Sequence, residues 1–164
     1  MKKLHPFIFY ILALSFFLNT NLAMGQNINQ EKMGLLNFMV GDWVGISTTY
    51  KDGMVDQKVP AFQKIQYAVD KSIITIDLHS ETLQLHTVIY YDEKQKKYFY
   101  NPFYKRGANQ YTAEYRDGKL IVTKDEKTRF IFHKTSEYGF QEYGEKLKDG
   151  QWVKYFEDNF KNIQ

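Results

Sequence analysis

Three times in this chain a basic residue is followed by Asp-Gly: Lys51-Asp52-Gly53, Arg116-Asp117-Gly118 and Lys148-Asp149-Gly150. Each triplet stands between runs rich in β-branched and aromatic residues. Asp and Gly both tolerate the positive φ that a two-residue hairpin turn demands. A chain punctuated in this way pairs its neighbouring strands antiparallel. Turn geometry accounts for all three triplets, and they carry no functional weight.

The runs between such turns are short and strand-like. They cover Trp43 to Tyr50, Ala61 to Val69, Ser72 to His79, Leu83 to Tyr91, Lys97 to Asn101, Gln110 to Arg116, Lys119 to Thr123, Thr128 to Lys134, Phe140 to Lys146 and Gln151 to Phe160. Pro102 marks the end of its run or an edge. Before them, Glu31 to Val40 carries Met33, Leu35, Leu36, Met39 and Val40 at a spacing that fits one or two turns of amphipathic helix, with Gly41 as its left-handed cap. The aromatic content, 13 Tyr, 13 Phe and 2 Trp, suits strands, because flat rings pack on a pleated, half-buried surface. With no long helix after residue 41, the pattern predicts an all-β, antiparallel up-and-down barrel of eight to ten strands preceded by a short N-terminal helix. Closing the sheet removes edges that would otherwise need guarding.

One hairpin assigns faces. With Ser80-Glu81 as its two-residue turn, His79 pairs with Thr82, Asp77 with Gln84 and Thr75 with His86, six polar residues on one side. Ile74, Ile76 and Leu78 then join Leu83 and Leu85 on the core side. On a later strand Phe130 and Phe132 point one way, and Arg129, Ile131 and His133 the other.

Residues 1–25 are of a different kind. Lys2 and Lys3 precede the apolar run Phe7 to Leu18, and Ala23-Met24-Gly25 offers small residues where a signal peptidase reads. This order predicts a secretory signal cleaved between Gly25 and Gln26, leaving one barrel domain over 26–164. As a helix the run would rise about 18 Å, against a hydrocarbon core of roughly 30 Å, so no stable membrane insertion is expected after cleavage. The chain has no cysteine, which excludes a lipid-modified N-terminus, a thiolate metal site and a cysteine nucleophile. The net charge is only +3, and two of its positive charges are Lys2 and Lys3, so nothing points to nucleic acid.

No stretch carries a catalytic signature: there is no G-x-S-x-G elbow and no phosphate-cradling glycine loop. His79 and His86 share the polar face with Asp77, which reads either as a metal or acid–base site or as a solvated outer face. The all-aliphatic opposite face favours solvation. The densest aromatic run, Tyr90-Tyr91 and Tyr98 to Tyr104, could line a cavity or simply fill the barrel.

At Phe38-x-x-Gly41-x-Trp43-x-Gly45 the chain resembles the calycin-like barrels, and within them small uncharacterised bacterial lipocalin-like proteins with an F-L-x-G-x-W-x-G opening. Ile89-Tyr90-Tyr91-Asp92-Glu93-Lys94 resembles their mid-chain Y-D strand and turn. The same opening is shared with nitrobindin-like haem barrels, whose pattern implies a late-strand histidine on the iron. No histidine follows His133, so no cofactor is expected. The disulfide and the late-strand arginine typical of lipocalins are missing too. The best functional reading is an exported, periplasmic or extracellular barrel that binds a small apolar or amphipathic molecule. Trp43 would close one end, Tyr98 and Tyr100 would stand on the way in, and Phe130 and Phe132 would line an uncharged wall. The rivals are a calycin-type enzyme and a structural envelope protein with a filled barrel.

Overall fold

The computed structural model describes residues 28–163. The predicted signal segment and its cleavage point lie outside them. A short helix, α1 (28–34), and a 3-10 turn over Asn37–Met39 lead into β1 (Gly41–Lys51). Then follow β2 (Met54–Ala68), β3 (Ile73–Ser80), β4 (Gln84–Asp92), β5 (Lys97–Tyr104), β6 (Gly107–Ala108), β7 (Tyr111–Arg116), β8 (Lys119–Asp125), β9 (Thr128–Ser136), β10 (Gly139–Lys148) and β11 (Gln151–Asn162).

Ten of these strands form a closed antiparallel barrel. Each pairs with the next along the chain, β4 with β5 and β5 with β7, and the ring closes where β1 meets β11. The two-residue β6 adds to the end of β5, opposite Phe103 and Tyr104. Beside it the β5–β7 seam is short, pairing only Tyr98, Tyr100 and Phe99 with Ala113, Tyr111 and Thr112. Pro102 does not end its strand. It sits where the neighbour of β5 changes from β7 to β6, and its carbonyl accepts from the Asn109 N–H at 3.0 Å. A proline is tolerated where the ladder is already broken.

The three Asp-Gly pairs make the β1–β2, β7–β8 and β10–β11 turns, with φ of 51° and 79°, 52° and 75°, and 50° and 77°. Both residues of each turn are left-handed, the conformation that matches the twist of the flanking strands. The β3–β4 hairpin is shifted from the sequence expectation. Asp77 lies opposite His86 and His79 opposite Gln84, while the Ser80 N–H donates to the Leu83 carbonyl at 2.8 Å. The turn therefore centres on Glu81-Thr82. The Ser80 hydroxyl holds it by accepting from the Leu83 N–H at 3.0 Å. A two-residue slip leaves the faces unchanged, so Ile74, Ile76 and Leu78 remain inside.

The helical segment also differs from expectation. α1 stops at residue 34, and Gly41 is not its cap but the first residue of β1, at φ 150°. The positive φ there is one that residues with a Cβ rarely adopt, so the conformation calls for glycine. α1 and the 3-10 turn cover one end of the barrel, burying Met33, Leu36 and Met39 completely. Two tyrosines tie this plug to the wall: Tyr98 donates to the Lys32 carbonyl at 2.7 Å and Tyr67 to the Met33 carbonyl at 3.2 Å.

Candidate functional site

Beneath the plug the interior is packed with rings. Trp43 meets Phe140 edge-on at 4.6 Å between centroids, Phe140 stacks on Phe160 at 5.0 Å, and the Trp43 indole donates to the Met39 carbonyl at 2.7 Å. Phe132 is wholly buried in the same core. Trp43 thus packs beneath the plug at one end of the barrel.

Beyond these rings the barrel opens into a cavity of about 330 Å³. Ile76, Leu78, Leu85, Phe130 and Phe156 provide its apolar wall, and Thr82, Leu83, Tyr104 and Lys124 stand at its exposed rim. Of the residues expected around a ligand, Tyr100 and Phe130 line this space. Trp43, Tyr98 and Phe132 do not: they belong to the packed end, and Tyr98 reaches for the plug rather than the entrance. Tyr104, three turns of the strand pleat further on, takes the place at the mouth that the sequence suggested for Tyr98.

A bulge shapes one side of the cavity. Gly144 pairs with Phe156 and Glu145 with Lys154, leaving Tyr155 as the extra residue. Both Tyr155 and Phe156 consequently reach the cavity lining, where strict alternation would present only one. Gly144 makes this possible, since a Cβ there would fall 2.2 Å from the Phe156 ring.

The wall is not free of charge, which corrects the sequence reading. Glu142 on β10 and Asp158 on β11 are directly opposed in register, face the cavity, and are only 8% and 5% exposed. Gln63 on β2, fully buried, donates its amide to Glu142 Oε2 at 3.1 Å. Burial, and then the charge of Asp158, push the Glu142 carboxyl up to about 8, with the Gln63 bond opposing. Burial likewise raises Asp158 to about 6, against the pull of the Ser47 hydroxyl. Like charges placed opposite one another across a ladder repel, so a proton or a cation is needed between them. Gln63 Oε1 and Asp158 Oδ1 are buried and have no hydrogen-bond partner in the protein. Above them Tyr100 is held neutral far beyond the usual phenol range, chiefly by burial and then by the Glu142 charge.

The sequence did contain a signal for this pair. Glu142 shares the strand phase of Phe140, and Asp158 lies midway between Phe156 and Phe160, so each is an acid in the apolar phase of its strand. Gln63 stands likewise between Ala61 and Ile65.

The described histidines lie elsewhere. His86 Nδ1 meets Asp77 Oδ1 at 2.7 Å and His79 Nδ1 meets the Gln84 amide at 3.1 Å, all on the exposed outer wall. His133 packs edge-on against Tyr143 at 5.8 Å. Burial, and then Lys119 and Lys154, lower its pKa. Among the described residues no three His, Cys, Asp or Glu side chains gather closely enough to hold a metal ion.

No family model matches the chain. No curated protein matches it either. Among solved structures it is similar to a protein of unknown function from the DUF3598 family of Nostoc punctiforme PCC 73102, at 6% identity and a TM-score of 0.29, over 80% of this chain and 98% of that one. A likeness that faint carries no argument about function, and the barrel stands on the strand pairing itself.

Proposed function

We propose that this chain is an exported binding protein that holds one small amphipathic molecule inside its barrel. The observation that carries this reading is the cavity of about 330 Å³, apolar along its wall and polar at its floor. Ligand pockets have this make-up, with much apolar surface for affinity and a few convergent polar groups for orientation. A structural barrel with a filled interior would have no such space. Export rests on the order of basic, apolar and small residues before Gln26, and the lipocalin-like opening at Gly41 and Trp43 agrees with it.

An environment-sensitive apolar dye should bind the purified protein at one site per chain. Phe130→Trp and Leu85→Trp, which add bulk to the cavity wall, should each weaken that binding while leaving the fold intact. If the folded protein takes up no dye, or both variants bind it as well as the parent, the carrier reading is wrong. For export, the intact mass of protein recovered outside the cytoplasm should begin at Gln26. A mass that includes Met1 to Gly25 would contradict it.

A second reading, an acid–base enzyme, is favoured by one observation: burial and a neighbouring acid raise Glu142 to about 8, where a carboxyl can exchange a proton near neutrality. A bound molecule returned chemically altered would choose the enzyme, and one returned unchanged the carrier.

A further inference from the structure

Resting on the carrier reading, we infer that the cavity selects a molecule with a cationic, hydrogen-bond-donating head, such as a primary ammonium or an amidinium, on an apolar body. The head would sit between Glu142, Asp158 and Gln63.

Hydrogen-bond inventory calls for a donor on the head. Gln63, among the residues lining the cavity, donates from its amide N–H₂ to Glu142, and its Oε1 is a buried acceptor with nothing in the protein donating to it. Asp158 Oδ1 is a second acceptor without a donor. An ammonium supplies three donors and an amidinium four, whereas an ether, ester or carboxylate supplies none. Leaving such atoms buried and unpaired is costly, so a donor arriving there gains more than it would in water.

Charge points the same way. Two acids face each other across β10 and β11, and among the described residues lining the cavity the basic side chain is Lys124, exposed at the rim. A cationic head would bring the positive charge that the protein does not place at its own floor. A carboxylate-bearing ligand would add a further acid to this pair in a poorly solvated space. A metal ion fits less well, because the described residues bring no third His, Cys, Asp or Glu to the pair. Ile76, Leu78 and Phe130 would then cover an apolar body of modest length.

The test compares three head groups on one tail. Octylamine, 1-octanol and octanoate are titrated into the purified protein by calorimetry, and each is also scored for displacing the apolar dye. Octylamine should bind at least about tenfold more tightly than 1-octanol, the scale of one desolvated charge-assisted bond. Octanoate should bind more weakly than either. Asp158→Asn should bring octylamine down toward the level of 1-octanol, lowering octylamine binding by a larger factor than 1-octanol binding. Equal binding of octylamine and 1-octanol by the parent protein, or octanoate binding as tightly as octylamine, overturns the inference whether or not the variant folds. If the dye and 1-octanol bind without any preference for the amine, this inference alone falls. If none of the four binds, the carrier reading falls with it.

Discussion

Glu142 and Asp158 are direct cross-strand partners on β10 and β11, and both point into the barrel. Two carboxyls in that relationship cannot both ionise at low cost. The cavity floor is therefore a region where the fold gives up stability for an arrangement of charge.

The first prediction follows from that relationship. In the folded protein Glu142 keeps its proton up to about 8 and Asp158 up to about 6, while in the unfolded chain they release it near 4.5 and 3.8. Between those limits the folded state binds more protons than the unfolded state, so stability falls as pH rises and levels off once Glu142 has ionised. Urea midpoints should be higher at pH 5 than at pH 8.5. Glu142→Gln should flatten the dependence, chiefly by raising the midpoint at the alkaline end. A midpoint that climbs from pH 5 to pH 8.5 in the parent protein would show that the pair is not buried as described.

Trp43 gives the second. It is 2% exposed, wedged against Phe140, and its indole N–H reaches the Met39 carbonyl of the plug. Trp43→Ala should cost about 3–5 kcal/mol, the usual range for deleting a large buried aromatic. Trp43→Phe keeps most of the packing and should cost less, on the order of 1 kcal/mol or somewhat more for the lost bond and the reduced volume. Denaturant unfolding of the three proteins measures both losses. A change under about 1 kcal/mol for the alanine variant would place Trp43 outside the core.

The third prediction is a gain. The β2–β3 loop holds Val69, Asp70 and Lys71 at φ of 47°, 53° and 62°, three left-handed residues in succession and none a glycine. A β-branched side chain is the least suited to that conformation. Val69 is also 70% exposed, so its side chain contributes little packing in return. The loop's own bonds run to backbone, from the Ser72 N–H to the Val69 carbonyl at 3.0 Å and from the Gln30 amide to the Asp70 carbonyl at 3.2 Å, and survive a change of side chain. Val69→Asn should therefore stabilise the protein by about 1 kcal/mol, read as a rise in Tm. A fall in Tm would mean that the exposed valine makes a contact worth more than its strain.

How far the sequence revealed this molecule depends on the range of the interaction concerned. The Asp-Gly turns and the alternation of Ile74, Ile76 and Leu78 are local, and they led to the strand count, the closed barrel and the inward face. Boundaries were less visible. The sequence reading begins the second run at Ala61, yet β2 starts at Met54 and pairs with β1 in a hairpin that extends past β3. The turn at Glu81-Thr82 was displaced by the Ser80 hydroxyl, a single side chain that periodicity does not register. The acid pair was hidden for a deeper reason. Seeing Glu142 against Asp158 requires the register of β10 on β11, and that register includes a bulge at Gly144/Glu145. Tyr98 and Tyr104 share a strand face, and only the location of the plug tells which of them is at the entrance.

The seam between β1 and β11 has a consequence in time as well as in space. It joins Trp43 to Asn162 and Thr49 to Phe156, so the first strand of the barrel finds its partner only in the last. Until β11 arrives, β1 and β10 each present a bare edge, and no shorter version of the ring is closed. Such distant pairing makes for slow folding, on the scale of milliseconds to seconds for chains dominated by non-local contacts. The ring cannot shut early, because among the described strands the one that shuts it is synthesised last.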